Sequence, residues 1–363
     1  MKLCLNMIVK NEAANMPRCL ASVEPWIACA AITDTGSTDD TIKIITDFFA
    51  QHGKPCYINE IPPINVDEEG YSVARNAALR HARSLPDGTW DYILLCDADM
   101  ELVVEGGRFP KLTAPTYALM QDSGKQRYWN VRLLRCDQTV EYVGLTHECL
   151  KPQQVPTAIG GLWYRDHETG ANRADKYRRD AKLLKRALLD DPMNPRSVFY
   201  MIQALHGLGA IERAREMCDF RVQLGGLEEE TWLTKIQIAK FDEALERDHA
   251  VIAAEFLDAY EFRPVRAEAL AYLSAFHRKH GRFHTALIYA REAAGMPFPA
   301  EILMVDVGVY EWAALDDVLG CALMCGAITD ARWAARKLKQ RTIPKSEQDR
   351  INGNIELALK GKP

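Results

Sequence analysis

The 363-residue chain predicts an α/β half followed by an all-α half, and three observations carry that reading. Apolar, strand-like runs alternate with segments of helical periodicity over the first 175 residues. From about Tyr177 the strand-like runs give way to Ala/Leu/Arg-rich amphipathic segments. The strand-like runs also end in turns rich in Asp, Asn, Ser and Thr, as in a mainly parallel sheet whose sites collect at the carboxyl ends of its strands. Two domains follow, residues 1–175 and 176–363, in keeping with ~100–200 residues per domain.

Element by element, "KLCLNMIV" opens as a strand, and "EAANMPRCLASVEPWI" carries apolar residues at helical spacing. "CAAI" is a short strand ending in the turn "DTGSTDD", and "DTIKIITDFFAQHG" is a helix with a glycine stop. "PCYINEI" is a further strand, "EGYSVARNAALRHARSLP" a helix and "DYILLCDADM" a buried strand. Such an alternation brings three polar turns to one sheet edge: Lys10 to Glu12, Asp34 to Asp39, and Asp97 to Asp99.

Composition narrows the function classes. Hydrophobic content of 48% and charged content of 26% are those of a folded globular protein. A net charge of −5 gives no overall attraction to nucleic acid, which is therefore not indicated as a partner. Ten cysteines without a CxxC pair suit reduced thiols and a cytoplasmic protein better than a disulfide framework or zinc site. The apolar opening is broken by Asn6 and ended by Lys10 and Glu12, too soon for a signal sequence or membrane span.

In the second half, Leu270, Leu273, Gly281, Phe283, Ala286, Ala293 and Pro297 fall close to tetratricopeptide-repeat spacing. Met201, Leu205, Gly209, Ile211 and Ala214 match more weakly, and a plain helical bundle is the alternative. Repeated helix pairs need neighbours to bury their faces and often present a concave surface to a peptide or subunit. The helical half could therefore bind an acceptor or join two copies of the chain.

The chemistry concentrates in "YILLCDADM". Asp97 and Asp99 follow four apolar residues, so a strand end delivers two carboxylates from one face. Two such carboxylates repel unless a cation, a proton or an arginine compensates. Hard oxygen ligands suit Mg²⁺ or Mn²⁺, which in turn hold phosphate-bearing substrates.

Taken in order, "MIVKNEAANMPRCLASV", "DTGSTDDT", "ARNAAL" and "LLCDADM" resemble the family 2 glycosyltransferases of the GT-A fold, with "YVGLTHECL" and "YRDHETG" extending the match. The resemblance implies a nucleotide-sugar-binding domain followed by a tetratricopeptide-like helical domain. It implies a metal-dependent, inverting hexosyl transfer from a nucleoside diphosphate sugar, here a UDP-sugar, to a peptide, protein or saccharide acceptor. By the same resemblance Asp34 contacts the nucleotide, with Glu12 beside it, although both could instead cap the helices that follow. Arg75 and Asn76 match the "RN" that meets the donor phosphates, and Asp97 contacts ribose or the waters of the metal. Asp99 and His167 correspond to the metal ligands, with His147 competing for the second place, and Glu148 to the general base. The chain has His-Glu where many relatives have Glu-Asp, which leaves the base less sharply marked.

Two other classes remain open. A non-catalytic helical-repeat scaffold could carry a relic transferase domain. "ILLCDADM" also resembles the first motif of haloacid dehalogenase-type phosphatases, but the later acidic pairs, Asp190–Asp191 and Asp316–Asp317, sit in helical segments.

Overall fold

The computed structural model describes residues 1–62, 69–86, 90–169 and 176–360, and the chain divides into two compact units. The first holds residues 1–123 and 127–209, the second residues 124–126 and 210–363. The 175/176 boundary and Gly170 of the quoted "YRDHETG" run lie outside the described residues.

The first unit is built on one sheet. Its opening strands and helices are β1 (Leu3–Val9), α1 (Met16–Val23), β2 (Cys29–Asp34), α2 (Thr41–His52), β3 (Cys56–Glu60), α3 (Tyr71–Arg83) and β4 (Tyr92–Leu95). There follow β5 (Met100–Val104), β6 (Thr116–Asp122), β7 (Gln126–Arg135), the short β8 (Tyr142–Val143) and β9 (Cys149–Leu150), and β10 (Thr157–Asp166). Two helices, α4 (Lys176–Asp190) and α5 (Pro195–Gly207), complete the unit.

Strand order is β3-β2-β1-β4-β7-β6-β10-β5. β3, β2, β1 and β4 pair in parallel, as do β6 and β10, whereas β7 and β5 join antiparallel. β8 and β9 form a separate two-stranded ribbon.

Period-two alternation sets the two faces of the sheet. Leu3, Leu5, Met7 and Val9 of β1 join Ile32, Leu94 and the apolar sides of α1 and α2 in one buried cluster. Cys4 of β1 faces the other way, with Ala31, Ile93 and Leu95, against Leu79 and Ala82 of α3. Asn6, alternating onto that second face, is buried but satisfied: its amide donates to the Ala31 and Ala78 carbonyls at 3.0 and 2.9 Å. α2 ends where the sequence places its glycine, Gly53, in a left-handed conformation (φ +64°). None of the ten cysteines is in a disulfide.

The second unit is a helical array: α6 (Ile211–Leu224), α7 (Glu228–Ala244), α8 (His249–Phe262), α9 (Glu268–Lys279), α10 (Phe283–Gly295), α11 (Ala314–Cys325), α12 (Ile328–Leu338) and α13 (Lys345–Lys360). Each packs on its chain neighbours, with further contacts between α9 and α11 and between α11 and α13, the pattern of stacked helix pairs. Leu270, Leu273, Ala286 and Ala293, picked out by repeat spacing, are all buried at these contacts. No helix among the described residues is long and apolar enough to cross a membrane.

Candidate active site

β2, β1 and β4 are adjacent and parallel, so their carboxyl ends bring the three polar turns side by side. The first two are stitched together: Asn11 Oδ1 accepts from the Thr38 amide (2.7 Å), and Ser37 Oγ accepts from the Asn11 amide (3.0 Å). Asp34, at the end of β2, accepts from the Gly36 and Ser37 amides and from Ser37 Oγ (2.6 Å). Its carboxylate thus shapes its own turn rather than capping α2, whose first amide, that of Thr41, donates to Asp39 instead. Glu12 accepts from Asn15 Nδ2 at 2.8 Å, and its amide donates to Thr41 Oγ1 at 2.8 Å, fixing the β1 loop to the start of α2.

Beyond β4 the structure gathers four charged side chains. Arg75, on α3, donates from Nη1 to Asp97 Oδ1 at 2.7 Å and from Nε to Glu148. Arg132, buried on β7, donates from Nη2 to the other oxygen of Asp97 at 2.7 Å and to Gln121 at 3.2 Å. Burial alone would raise the Asp97 carboxyl, but the Arg132 and Arg75 charges hold it well below the usual carboxylate range. The same pairing keeps both guanidinium groups protonated against their own burial. Arg75 also lies 5.5 Å over the Tyr142 ring. Asn76, its chain neighbour, instead clamps the Tyr142 backbone, donating to its carbonyl (2.9 Å) and accepting from its amide (2.8 Å). Arg75, Asp97 and Glu148 therefore form one cluster, and Asn76 holds the ribbon behind it.

Asp99 and His167 meet through the backbone, the His167 amide donating to the Asp99 carbonyl at 3.2 Å. The His167 ring is hydrogen-bonded through Nε2 to Glu101 at 2.8 Å, and Arg165 donates to the same carboxylate at 3.1 Å. Burial opposes ionisation of Glu101, yet the His167 bond and the Arg165 charge bring its carboxyl pKa below the ordinary value. Among the described residues no group of three or more His, Cys, Asp and Glu side chains is gathered for a metal. Mg²⁺ and Mn²⁺ at phosphate-transfer sites are held by one or two carboxylates plus substrate phosphates; Asp99 supplies such a carboxylate, whereas His167 Nε2 would have to leave Glu101 to join it.

Glu148 sits in the loop between β8 and β9, and the fold fixes this loop from several sides. Gly70 (φ +81°) makes it possible, because a Cβ there would lie 2.6 Å from the Leu145 carbonyl oxygen. With that contact open, the Tyr71 amide donates to Leu145 at 2.9 Å. His147 adopts φ +49°, a left-handed conformation that L side chains avoid. Its ring lies flat on Tyr200 of α5, with centroids 3.8 Å apart and planes 6° from parallel. His147 Nε2 is 3.3 Å from Asp180 Oδ2, while Thr146 Oγ1 donates to Asp180 Oδ1 at 2.8 Å. Asp180, on α4, is 3% exposed. Burial would raise its carboxyl, but the His147 and Thr146 bonds bring it below the ordinary value. Arg196 of α5 donates to the His147 carbonyl at 3.1 Å. His147 is thus engaged with α4 and α5, while His167 lies beside Asp99.

Sequence reasoning missed Arg132, Glu101, Asp180 and Tyr200. Two of these leave a trace. Arg132 interrupts the apolar run "VRLL" of a strand, and Asp180 shares the buried stripe of α4 with Leu183 and Leu184, three and four residues on. A charged residue on an apolar face needs a buried partner. Tyr200 and Glu101 leave none.

The family model for Glycosyl transferase family 2 matches residues 4–117, which span β1 to the start of β6 and include Glu12, Asp34, Arg75, Asn76, Asp97 and Asp99. A TPR repeat-containing protein of Synechococcus elongatus is 38% identical over 102 residues, 28% of this chain and 21% of the relative. The chain thus spans about a fifth of the length of that curated relative. Among solved structures, MamA resembles it with a TM-score of 0.37 and 13% identity, over 49% of this chain and 92% of MamA. YrrB, described as a TPR protein with an unusual peptide-binding site, gives 0.38 and 13%, over 50% and 84%. Residues 4–117 thus match the Glycosyl transferase family 2 model, within the first unit, and the second unit is an array of stacked helix pairs.

Proposed function

We propose that the protein is an inverting, metal-dependent glycosyltransferase that moves a hexosyl group from a nucleoside diphosphate sugar, of the UDP-sugar class, to a peptide, protein or saccharide acceptor in the cytoplasm. The observation that supports this best is the Asp97–Arg75–Glu148 cluster at the carboxyl edge of the sheet, beside the turn that Asp34 shapes.

Glu148 takes the proton of the acceptor hydroxyl as its oxygen attacks the anomeric carbon, and the bond to the diphosphate breaks on the opposite face. Arg75 is the group best placed to exchange partners, since a diphosphate competes with Glu148 for its guanidinium and frees the carboxylate as a base. Asp97, paired with both arginines, orients Arg75 and stays ionised throughout. Asp99 and His167 would hold Mn²⁺ or Mg²⁺, which when bound supplies charge neutralisation on the leaving diphosphate. The helical domain offers the surface for the acceptor or for a second copy of the chain.

A non-catalytic scaffold is the second reading, and the pairing of Glu148 with Arg75 favours it, because that bond occupies the carboxylate that would have to meet the acceptor hydroxyl. The deciding experiment incubates the full chain with a set of UDP-, GDP- and dTDP-sugars and Mn²⁺, measuring nucleoside diphosphate release and the anomeric configuration of the sugar by NMR. Release from one donor with inversion is expected. No release from any donor would leave the scaffold, and retention would remove the single-displacement step.

A further inference from the structure

We propose that Asp180 and Tyr200 are positioning residues for the transfer step: helices α4 and α5 act as a clamp that presents Glu148 by holding its neighbour His147 in a strained conformation. The inference rests on the reading of Glu148 as the base and extends the working part of the enzyme past residue 175.

A non-glycine residue in the left-handed region costs ~1–3 kcal/mol and persists only where its surroundings over-determine it. His147 has three such restraints, all from α4 and α5: Asp180 on its ring, Tyr200 beneath its ring and Arg196 on its carbonyl. Two residues earlier, Leu145 is fixed by its close approach to Gly70. Thr146, one residue earlier, is tied to the same Asp180 carboxylate. The β8–β9 loop therefore has its direction set just before Glu148, and the Arg75 bond to Glu148 marks where that direction leads.

Without the clamp, His147 relaxes to φ below zero, and the peptide that leads into Glu148 turns with it. A misplacement of about 1 Å in a catalytic group lowers turnover by ~10²-fold. The nucleotide-facing groups, Asp34 and Asp97, are held by Ser37, Arg75 and Arg132 rather than by α4 or α5. Loss of the clamp should lower kcat while leaving donor KM in place.

The test uses the full chain as wild type and as Asp180→Ala, Tyr200→Ala, Tyr200→Phe, Glu148→Gln and the double variant Glu148→Gln/Asp180→Ala. Hydrogen exchange is read on the peptide covering residues 142–150 and on β1 and β4, and nucleoside diphosphate release on the same donor set. The expected result is at least tenfold faster exchange over 142–150 in both alanine variants, with β1 and β4 unchanged. Tyr200→Phe, which keeps the stacked ring, should behave as wild type. Asp180→Ala should lower kcat ~10²-fold at unchanged KM. The double variant should be no slower than Glu148→Gln alone, because Asp180 acts through Glu148.

Unchanged exchange over 142–150, or equal acceleration in β1 and β4, would overturn the clamp. So would wild-type turnover in Asp180→Ala while Glu148→Gln is impaired, and that pattern would leave the base assignment standing. Wild-type turnover in Glu148→Gln, or no turnover in the wild type, would remove the base reading and the clamp with it.

Discussion

Replacing Arg132 by Met tests the charge cluster most sharply, since Arg132 joins the half-buried Asp97 to the buried Gln121 and no sequence motif marks it. Met keeps the length of the stem and removes the 2.7 Å bond to Asp97 and the 3.2 Å bond to Gln121. Stranding a fully buried charge costs ~3–5 kcal/mol, but Asp97 keeps Arg75, so the loss is closer to that of one charge-assisted hydrogen bond, about 2–3 kcal/mol. For a domain of 150–250 residues each kcal/mol moves the melting temperature by ~2–4 °C, giving a fall of about 4–12 °C at pH 7.

The pH dependence gives the prediction its sign. The folded Asp97 carboxyl is held below its unfolded value, so its ion pairs contribute full stability above about pH 4 and lose it as pH falls towards the folded value. Removing Arg132 raises the folded value, so the deficit of the variant should be constant from pH 8 to 5 and shrink in acid once pH falls below that raised value. Circular dichroism melts at pH 7, 5 and 3.5 read this directly. A variant that melts within a degree of wild type at pH 7, or a deficit that grows in acid, would refute the reasoning.

Three further outcomes follow from the same geometry. Glu148→Gln should keep donor affinity, read by calorimetry, and lower transfer by ~10²–10⁴-fold, the usual share of acid–base catalysis. Gly70→Ala should destabilise the first unit in thermal melts by more than the ~1–3 kcal/mol of its left-handed backbone, because the new Cβ also meets Leu145 at 2.6 Å. A chain ending at residue 209 should melt cooperatively and bind nucleotide, whereas one ending at residue 175 loses the Asp180, Arg196 and Tyr200 contacts to the β8–β9 loop and should melt at a lower temperature.

The parallel core was legible because buried strands, amphipathic helices and polar turns each leave a local pattern. "KLCLNMIV", "CAAI" and "DYILLCDADM" became β1, β2 and β4, and their neighbouring ends brought the expected turns together. The antiparallel strands β5, β6, β7 and β10 were less legible, since "QRYWNVRLLR" mixes charged and apolar residues without a clean period. In the site, Asp97 and Asp99 could be read from a strand end. Their partners could not, because pairing of Arg132 with Asp97, Glu101 with His167 and Asp180 with His147 depends on elements 35, 66 and 33 residues apart in sequence. The turn bonds that Asp34 makes and a substrate contact would use the same carboxylate, so local chemistry alone does not separate them.

The central claim is that the first unit holds a nucleoside diphosphate through a divalent metal at Asp99 and His167. The most direct measurement is the melting temperature of the full chain with UDP, with and without Mn²⁺, beside Asp99→Asn. At ~100 Kd of free ligand, binding to the native state adds ~2.7 kcal/mol, a shift of several degrees. The account predicts that shift for wild type with UDP and Mn²⁺ together, little with UDP alone, and none beyond the Mn²⁺-free level in Asp99→Asn. Stabilisation by UDP that is equal with and without Mn²⁺, or retained in full by Asp99→Asn, would contradict it.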